Sequence, residues 1–483
     1  MATDVTMLGG APPAATWRRT RDRLARRLAH LIVFGAAAAP RQVLRALVGP
    51  GLARIGSGFD PAFYLAQVPS GLPRRRAARD PLLHYWLIGA RQGRWPSPGF
   101  KGGASAPAPS RGGDKVALII DHGRGGGSSR LLAQHAAKLA NEGWKVLASR
   151  RVGRETPLFL FPDAEGWRAF DLFADAAPLA DFARAQGVNL VIVNHLIDLP
   201  QDAADWLARF AGSIGARLEV LLHDYYLACP RIDLIASDGR YCGLAPTDTC
   251  RACLVASGPV LSGVDIVAWR RRSGVLLATA ARAIAPSQDL AGRLAAAFPD
   301  ASIEVEEPEN DAVLPASSSP PPLALGENLR VLVLGALNRP KGLAVIIALA
   351  RVLVARGAPV RITLLGPAAD GRALRAAGVE LLGRYSPETV QERLAAAAPH
   401  VIFFPAIWPE TWSYTLTEAL RSDAEIVAFD IGAIAERLKR LGRGRIIPHA
   451  ASADPAVLAK IFIDLRRDLE AKPTPACAPR GVA

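Results

Sequence analysis

HVIFFPAIWPETWSYTLTEAL, residues 400–420, decides how this chain is read. Its opening, HVIFFPA (400–406), is a continuous apolar run too short for a buried helix, the pattern of a strand covered on both faces. PETWSYTLTEAL (409–420) follows and opens a helix predicted over 413–421. In an open α/β sheet, ligands bind just beyond the carboxyl ends of the strands. The amides at the helix start, those of Trp412, Ser413 and Tyr414, can point at a diphosphate, and the helix dipole favours its charge. Glu410, on the turn, can reach a sugar. Glu418, one to two turns into the helix, can accept hydrogen bonds from ribose hydroxyls.

The same unit repeats on either side. LRVLVLGA (329–336), VRITLLGP (360–367) and AEIVAFD (424–430) are further buried-strand runs. Helical patterns fit between them at about 341–356, 387–398 and 433–441, and a final helix is predicted at about 454–470. A Pro/Ser-rich stretch, LPASSSPPPLALGEN (314–328), separates this series from an earlier one. That earlier series opens with KVALII (115–120), the glycine-rich HGRGGGSS (122–129), a helical pattern from about Arg130 to Asn141, and the strand WKVLAS. NLVIVNH (189–195) and RLEVLLHDY (217–225) follow, with helical patterns between. Buried strands alternating with helices predict an α/β chain of two Rossmann-like, doubly wound parallel-sheet domains.

These boundaries divide the 483 residues as follows. Residues 1–58 form a basic amphipathic segment and 59–100 a small helical, aromatic-rich module; 101–114 is a linker. Residues 115–313 form the first α/β domain, with a Cys-rich insert at 229–253. After the linker 314–328 come a second α/β domain with its return helix (329–470) and a tail (471–483).

The net charge of +14 is concentrated at one end. Residues 1–114 hold 17 Lys+Arg against 5 Asp+Glu, whereas the rest of the chain holds 41 against 39. Such a segment suits an anionic surface. No nucleic-acid-binding signature accompanies it, so a membrane surface is the expected partner, a solvated basic face is the alternative, and nucleic acid is not expected. The apolar run Leu28–Ala39 is about 12 residues, below the ~20 that span a bilayer. Trp17, Leu24, Leu28, Leu31 and Ile32 share one helical face beside arginines, as in an interfacial helix or in one docked on the rest of the protein. Five cysteines, four of them clustered, do not form a secreted disulfide framework. The expected compartment is the cytoplasm, with peripheral contact to the inner face of the plasma membrane.

The Glu-x7-Glu spacing of Glu410 and Glu418, placed after a buried strand, resembles the motif of retaining glycosyltransferase family 4, whose architecture is the two-Rossmann-domain GT-B fold. Other segments fit in order. LGALNRPKG (334–342) resembles the family's donor-phosphate loop, which implies that Gly335 allows close backbone approach and Lys341 meets the pyrophosphate. GRYSPE (383–388) resembles the loop beside the nucleotide base, which implicates Arg384, and FDIGAIAERL (429–438) resembles the following strand–turn–helix. HDYYLACPR (223–231) resembles the strand-end histidine segment, placing His223 near the reacting centre with Glu410; a structural histidine is the alternative. His195, which also ends a strand, is expected on the acceptor side, with a loop hydrogen-bonding role as the alternative, and Gly125, Gly126 and Gly127 are expected on that side too. The chain departs from the family at Ala336, where Arg is frequent, and at Ser413, where Gly is frequent.

Cys229, Cys242, Cys250 and Cys253 form C-x12-C-x7-C-x2-C, which fits a structural zinc site; free thiols in a loop are the alternative. No Asp-x-Asp triplet occurs, which argues against a carboxylate-bound divalent ion holding a donor diphosphate, and no catalytic metal is expected. FDPAFYLAQVP (59–69) and RDPLLHYWLIGARQGRWPSPGF (79–100) resemble stretches that precede the catalytic domains of bacterial polysaccharide-building glycosyltransferases. The resemblance implies hexosyl transfer, with retention, from a nucleotide-sugar to a saccharide or lipid-linked glycan in surface-polysaccharide synthesis. A nucleotide-sugar epimerase and a catalytically lapsed scaffold of a glycan-assembly complex are the rival readings.

Overall fold

The computed structural model describes residues 61–66, 68, 77–78, 81–84, 115–122, 126–152, 158–163, 166–173, 175–311 and 320–471. The basic segment 1–58, the linker 101–114, Gly125, most of the module 59–100 with Phe59, Tyr85, Trp86 and Trp95, and the tail from 472 lie outside the described residues. Within the module, Tyr64 and His84 are buried and meet at 2.5 Å between Oη and Nδ1. Among the described residues, no helix is long and apolar enough to cross a membrane.

The chain forms two compact units, Met1–Arg124 with His135–Glu219, and Gly125–Gln134 with Val220–Ala483. The first holds the parallel strands β1 (Val116–Ile120), β2 (Lys145–Ala148) and β6 (Leu190–Val193), with β1 paired to both others. Every residue of β1 and β6 is buried, the pattern of strands covered on both faces. Helices α1 (Gly127–Asn141), α2 (Ala176–Ala185) and α3 (Ala203–Ser213) accompany them, α1 straddling the two units. An antiparallel sheet of β3 (Arg150–Val152), β4 (Leu158–Asp163) and β5 (Gly166–Asp171) lies where the sequence suggested only helix. Its apolar run LFLF buries Phe159, Leu160 and Phe161, and Phe161 packs with Phe170 and Phe182 at centroid distances of 6.2–6.3 Å. Strand β7 (Arg217–Leu221) carries the chain from one unit into the other. The sheet order is β2-β1-β6-β7-β8-β9, with β8 (Arg282–Ala285) and β9 (Ile303–Val305) in the second unit.

In that unit, α4 (Thr247–Ala256), α5 (Ile266–Thr279) and α6 (Gln288–Ala297) precede the second sheet. Asp265 caps α5, accepting from the amides of Val267 and Ala268, and Ser287 caps α6. The second sheet has the order β12-β11-β10-β13-β14-β15, all pairs parallel. Its strands are β10 (Leu329–Leu334), β11 (Val360–Leu365), β12 (Glu380–Gly383), β13 (Val401–Phe404), β14 (Glu425–Phe429) and β15 (Arg445–Ile447). Helices α7 (Leu343–Ala355), α8 (Val390–Ala397), α9 (Tyr414–Leu420), α10 (Gly432–Leu441) and α11 (Pro455–Glu470) cover it. Alternation along the strands sorts the core into two layers. Val331, Val333, Phe403 and Phe429 face one layer; Leu332, Ile402, Phe404 and Ile426 face the other. The protein therefore has two Rossmann-like parallel sheets of six strands each. The linker 314–328 separates the sheets in sequence, yet the compact units divide at Glu219. Strands β8 and β9 group with the second unit because α6 packs on α10, with the amides of Gln288 and Asp289 donating to Glu436 at 3.1 and 2.6 Å.

Candidate functional site

The second sheet begins at its middle. The chain runs outward from β10 to β12, returns to β13 beside β10, and runs outward again to β15. The segments following β10 and β13 therefore diverge at a switch point, where α/β sheets bind ligands. Lys341 lies on the first segment and Glu410 on the second. The Lys341 Nζ stands 3.2 Å from Glu410 Oε1 and 3.3 Å from Oε2. Glu410 is 6% exposed, so its carboxylate depends on this partner, whereas a third of the Lys341 side chain reaches solvent.

Two glycines let these loops close. Gly335 has φ +103°, and a Cβ there would stand 2.9 Å from Thr415 Cγ2 on α9. Gly432 has φ +70°, and a Cβ would reach within 2.6 Å of Pro409 Cα and 2.7 Å of the Glu410 nitrogen. The loop holding Glu410 thus rests directly on the start of α10, where the Ala433 amide donates to the Glu410 carbonyl at 2.7 Å.

A cavity of about 420 Å³ opens here, entirely within the second unit. This volume suits a small-molecule site. Its wall holds His223, Lys341, Glu410, Trp412, Ser413 and Tyr414, all marked in the sequence, together with Gly127 at the start of α1. His223 follows β7 by two residues, its Nδ1 is 3.5 Å from Asp224 Oδ2, and its carbonyl accepts from the Thr411 hydroxyl at 2.7 Å. The Tyr225 hydroxyl donates to the Pro409 carbonyl at 3.2 Å. The histidine segment and the Glu410 loop are therefore hydrogen-bonded to one another.

Helix α9 starts at Tyr414, one residue later than the sequence suggested, because Ser413 is left-handed (φ +70°). Ser413 stands where the family resemblance leads one to expect glycine, and the left-handed backbone explains that preference. What holds a serine there is Arg437, a residue the sequence reading did not single out. Its side chain is fully buried and every N–H is used. Two bonds go to Asp311 (2.9 and 2.6 Å), one each to the carbonyls of Trp412 (3.1 Å) and Ser413 (2.9 Å), and one to the Thr417 hydroxyl (2.8 Å). The guanidinium also lies 3.9 Å from the centre of the Trp412 ring. Burial pushes the Asp311 carboxyl up, but hydrogen bonds and charge from Arg437 and then Arg440 more than offset this and hold it below the usual carboxylate value. The available signal was positional: Arg437 shares a helical face with the apolar Ala433, Ile434 and Leu438.

Glu309 is a second residue missed by the sequence reading. It accepts from Arg130 (2.7 Å), Trp412 Nε1 (3.2 Å) and the Thr417 hydroxyl (2.5 Å). Arg130 in turn stacks over the Tyr414 ring at 4.2 Å, and the Tyr414 hydroxyl donates to Gln134 at 2.8 Å. Burial first, then the Glu309 charge, pushes the Tyr414 hydroxyl well above its ordinary pKa, so it stays a neutral donor.

The remaining marked residues do not line this cavity. Gly335 shapes the loop without entering the cavity wall. Glu418 is buried on α9, where Oε2 accepts from Gln391 (2.7 Å) and Arg421 (2.9 Å). Tyr385 is near enough that burial, then the Glu418 charge, raises its hydroxyl pKa. Arg384, its neighbour, is exposed. Gly126 is exposed and left-handed at φ +87°. His195 belongs to the first unit, where its ring stacks on His122 at 4.8 Å and its Nδ1 accepts from the Ile197 amide. Asp121, paired with Asn194 at 2.6 Å, completes that buried polar group at the switch point of β1 and β6.

No protein-family model matches the sequence, and no curated protein matches it. Solved structures similar to it include HepE of Anabaena in complex with UDP and glucose (18% identity, 74% of this chain and 90% of that one, TM-score 0.44). Sucrose-phosphate synthase from Thermosynechococcus elongatus is 14% identical over 74% of this chain and 94% of that one, with a TM-score of 0.46. The catalytic domain of starch synthase IV from Arabidopsis thaliana, bound to ADP and acarbose, is 11% identical over 75% and 96%, with a TM-score of 0.39.

Proposed function

We propose that this chain is a glycosyltransferase that moves a sugar from a nucleotide-sugar donor to a saccharide or lipid-linked glycan acceptor, with retention at the anomeric carbon. The observation that supports this reading most is the convergence of Lys341, Glu410 and His223 in one cavity at the β10/β13 switch point. A solvent-reaching ammonium held by a buried carboxylate can turn to a diphosphate without leaving its partner. There it offsets the charge that grows as the bond from the anomeric carbon to the phosphate oxygen breaks. Glu410 keeps an acceptor surface for a sugar hydroxyl, and His223, in the same cavity wall, orients the sugar. The acceptor hydroxyl attacks the same face, its oxygen bonds the anomeric carbon, and its proton passes to the departing phosphate oxygen. No side-chain nucleophile and no catalytic metal enter this scheme. Arg384 and Glu418 are assigned to the base and ribose, Gly125–Gly127 and His195 to the acceptor side. The basic segment 1–58 is assigned to peripheral contact with the cytoplasmic face of the plasma membrane, in surface-polysaccharide synthesis.

The test is a thermal-shift panel of UDP, GDP, ADP and dTDP with their common sugar conjugates, on the wild type and Glu418→Ala. A ligand at ~100 times its dissociation constant adds about 2.7 kcal/mol of stability. One base should stabilise the wild type, and the substitution should weaken that effect. If no nucleotide binds, the donor site has lapsed and a scaffold role replaces the transferase.

A further inference from the structure

Between β7 and α4 the chain runs 25 residues, Leu222–Pro246, without a helix or an extended strand. A structureless stretch of that length inside a compact unit needs something to hold it. Three bulky residues in it, Ile232 (φ +70°), Leu234 (φ +57°) and Leu244 (φ +61°), adopt the left-handed backbone that such side chains disfavour. Tyr225, Ala228, Leu234 and Ile235 of the stretch are buried, and Cys250, Leu254, Ile266 and Trp269 form a small buried cluster beside it.

All four clustered cysteines line one small cavity in this stretch, walled otherwise by Arg231, Thr249 and apolar side chains. They come from three separate places: Cys229 after the histidine segment, Cys242 in the turn closed by the Ile235–Tyr241 bridge, and Cys250 and Cys253 one turn apart on α4. None is in a disulfide. Donors already point at the sulfurs. The Ser237 amide reaches Cys253 Sγ at 3.3 Å, and Arg270 reaches Cys250 Sγ at 3.3 Å. Such N–H···S bonds are the outer-shell partners that stabilise metal-bound thiolates. Arg231 and Arg270 also supply positive charge against four thiolates.

We infer that Cys229, Cys242, Cys250 and Cys253 form a four-thiolate zinc site that fixes the loop carrying His223, Asp224 and Ile232. Tetrahedral zinc–thiolate bonds of about 2.3 Å put the sulfurs about 3.8 Å apart. Among the described residues, no three of these sulfurs lie within 4.8 Å of one another, and Cys250 donates to the Ala245 carbonyl at 3.2 Å. This is the open arrangement, with the Cys250 thiol donating its proton to Ala245. Turning χ1 between staggered wells moves a sulfur by about 3 Å, so rotamer changes close it. Zinc binding then releases thiol protons and breaks the Cys250–Ala245 bond. Metal, unlike a disulfide, can tie all three segments at one point.

The inference does not depend on the transferase reading, because its readout is metal content. Full-length protein from zinc-replete cells, analysed for metals after removal of loosely bound ions, should carry about one zinc per chain. Cobalt titrated into chelator-stripped protein should give the thiolate-to-metal charge-transfer band and the visible bands of tetrahedral cobalt, displaced by zinc. Cys250→Ser with Cys253→Ser should abolish both. A folded wild type without zinc that gives no tetrahedral cobalt spectrum overturns the inference, as does intact-mass evidence for disulfides among the four cysteines. The cobalt titration uses the wild type, so misfolding of the double variant does not weaken the test.

Discussion

Arg437→Ala is the substitution that most directly tests how the candidate site is held. The side chain is fully buried, and its five N–H groups serve Asp311, two loop carbonyls and the Thr417 hydroxyl. Removing one partner of a buried ion pair costs about 3–5 kcal/mol, because the other charge is left in the interior. Arg440 also contacts Asp311 at 2.7 Å and can keep part of its stabilisation, although that side chain is 42% exposed and partly screened. The expected loss is therefore near the lower end, about 3 kcal/mol. A second consequence is local. Without Arg437 the carbonyls of Trp412 and Ser413 lose their donor, and the left-handed Ser413 can relax into an ordinary backbone. The Glu410–Tyr414 loop then loosens, and nucleotide affinity falls with it. Urea unfolding followed by tryptophan fluorescence measures the first effect, and calorimetric titration with the nucleotide chosen by thermal shift measures the second. Arg437→Lys sharpens the comparison. It keeps a charge for Asp311 but lacks the planar fork needed to serve a carboxylate and two carbonyls together. It should recover part of the stability and little of the binding. If Arg437→Ala unfolds within about 0.5 kcal/mol of the wild type, the ordinary range for innocuous surface changes, and binds nucleotide equally well, the account of this loop is wrong.

Three further outcomes are expected. Lys341→Met removes the only cation described beside the Glu410 carboxylate and should lower turnover on the order of 10²–10³-fold, as loss of one charge-stabilising donor does; turnover within threefold of wild type would remove Lys341 from the mechanism. Gly432→Ala places a side chain where φ is +70° and Pro409 Cα would be 2.6 Å away. Backbone strain of roughly 1–2 kcal/mol should come with displacement of Glu410, so activity falls more than stability, and equal losses would argue against that coupling. Asp311 has a folded pKa below its unfolded value near 3.8. The stability it contributes is present above that value and disappears as pH falls through the lower folded pKa. Acid titration of the folded state should therefore show Asp311→Asn to be destabilised at pH 7, with the gap to wild type closing below about pH 4; a gap that persists in acid would place the defect elsewhere.

Strands β1, β2, β6, β7, β10, β11, β13 and β14 were legible in the sequence because burial on two faces leaves a simple trace. The short strands β8, β9, β12 and β15 were not, and β9, β12 and β15 are partly exposed. KVALII and HVIFFPA carry no polar residue inside the strand proper, and β1 and β13 are buried throughout. Glycine at 335 and the Glu410–Glu418 spacing were legible for a similar reason: a tight turn beyond a strand end restricts which residues can stand there. Features set by packing were not legible either. The antiparallel β3–β5 sheet rests on a phenylalanine cluster that Phe182 on α2 completes, a partner distant in sequence. The grouping of β8 and β9 with the second compact unit follows from α6 packing on α10, and packing leaves no mark in composition. The separation of the two glutamates into different surroundings, Glu410 beside Lys341 in the cavity and Glu418 beside Gln391 and Arg421, depends on which side chains the fold brings alongside. Arg437 and Glu309 belong to that last class. By sequence each is one charged residue among many, and each acquires its role only when segments 20 to 179 residues apart meet it with donors or acceptors. The sequence by itself determined where the central strands of the sheets and the turns beyond their carboxyl ends would be, since periodicity and turn chemistry act over a few residues. Tertiary structure alone decided how the charges in those edges are partnered, since hydrogen bonds and burial act between residues the sequence keeps apart.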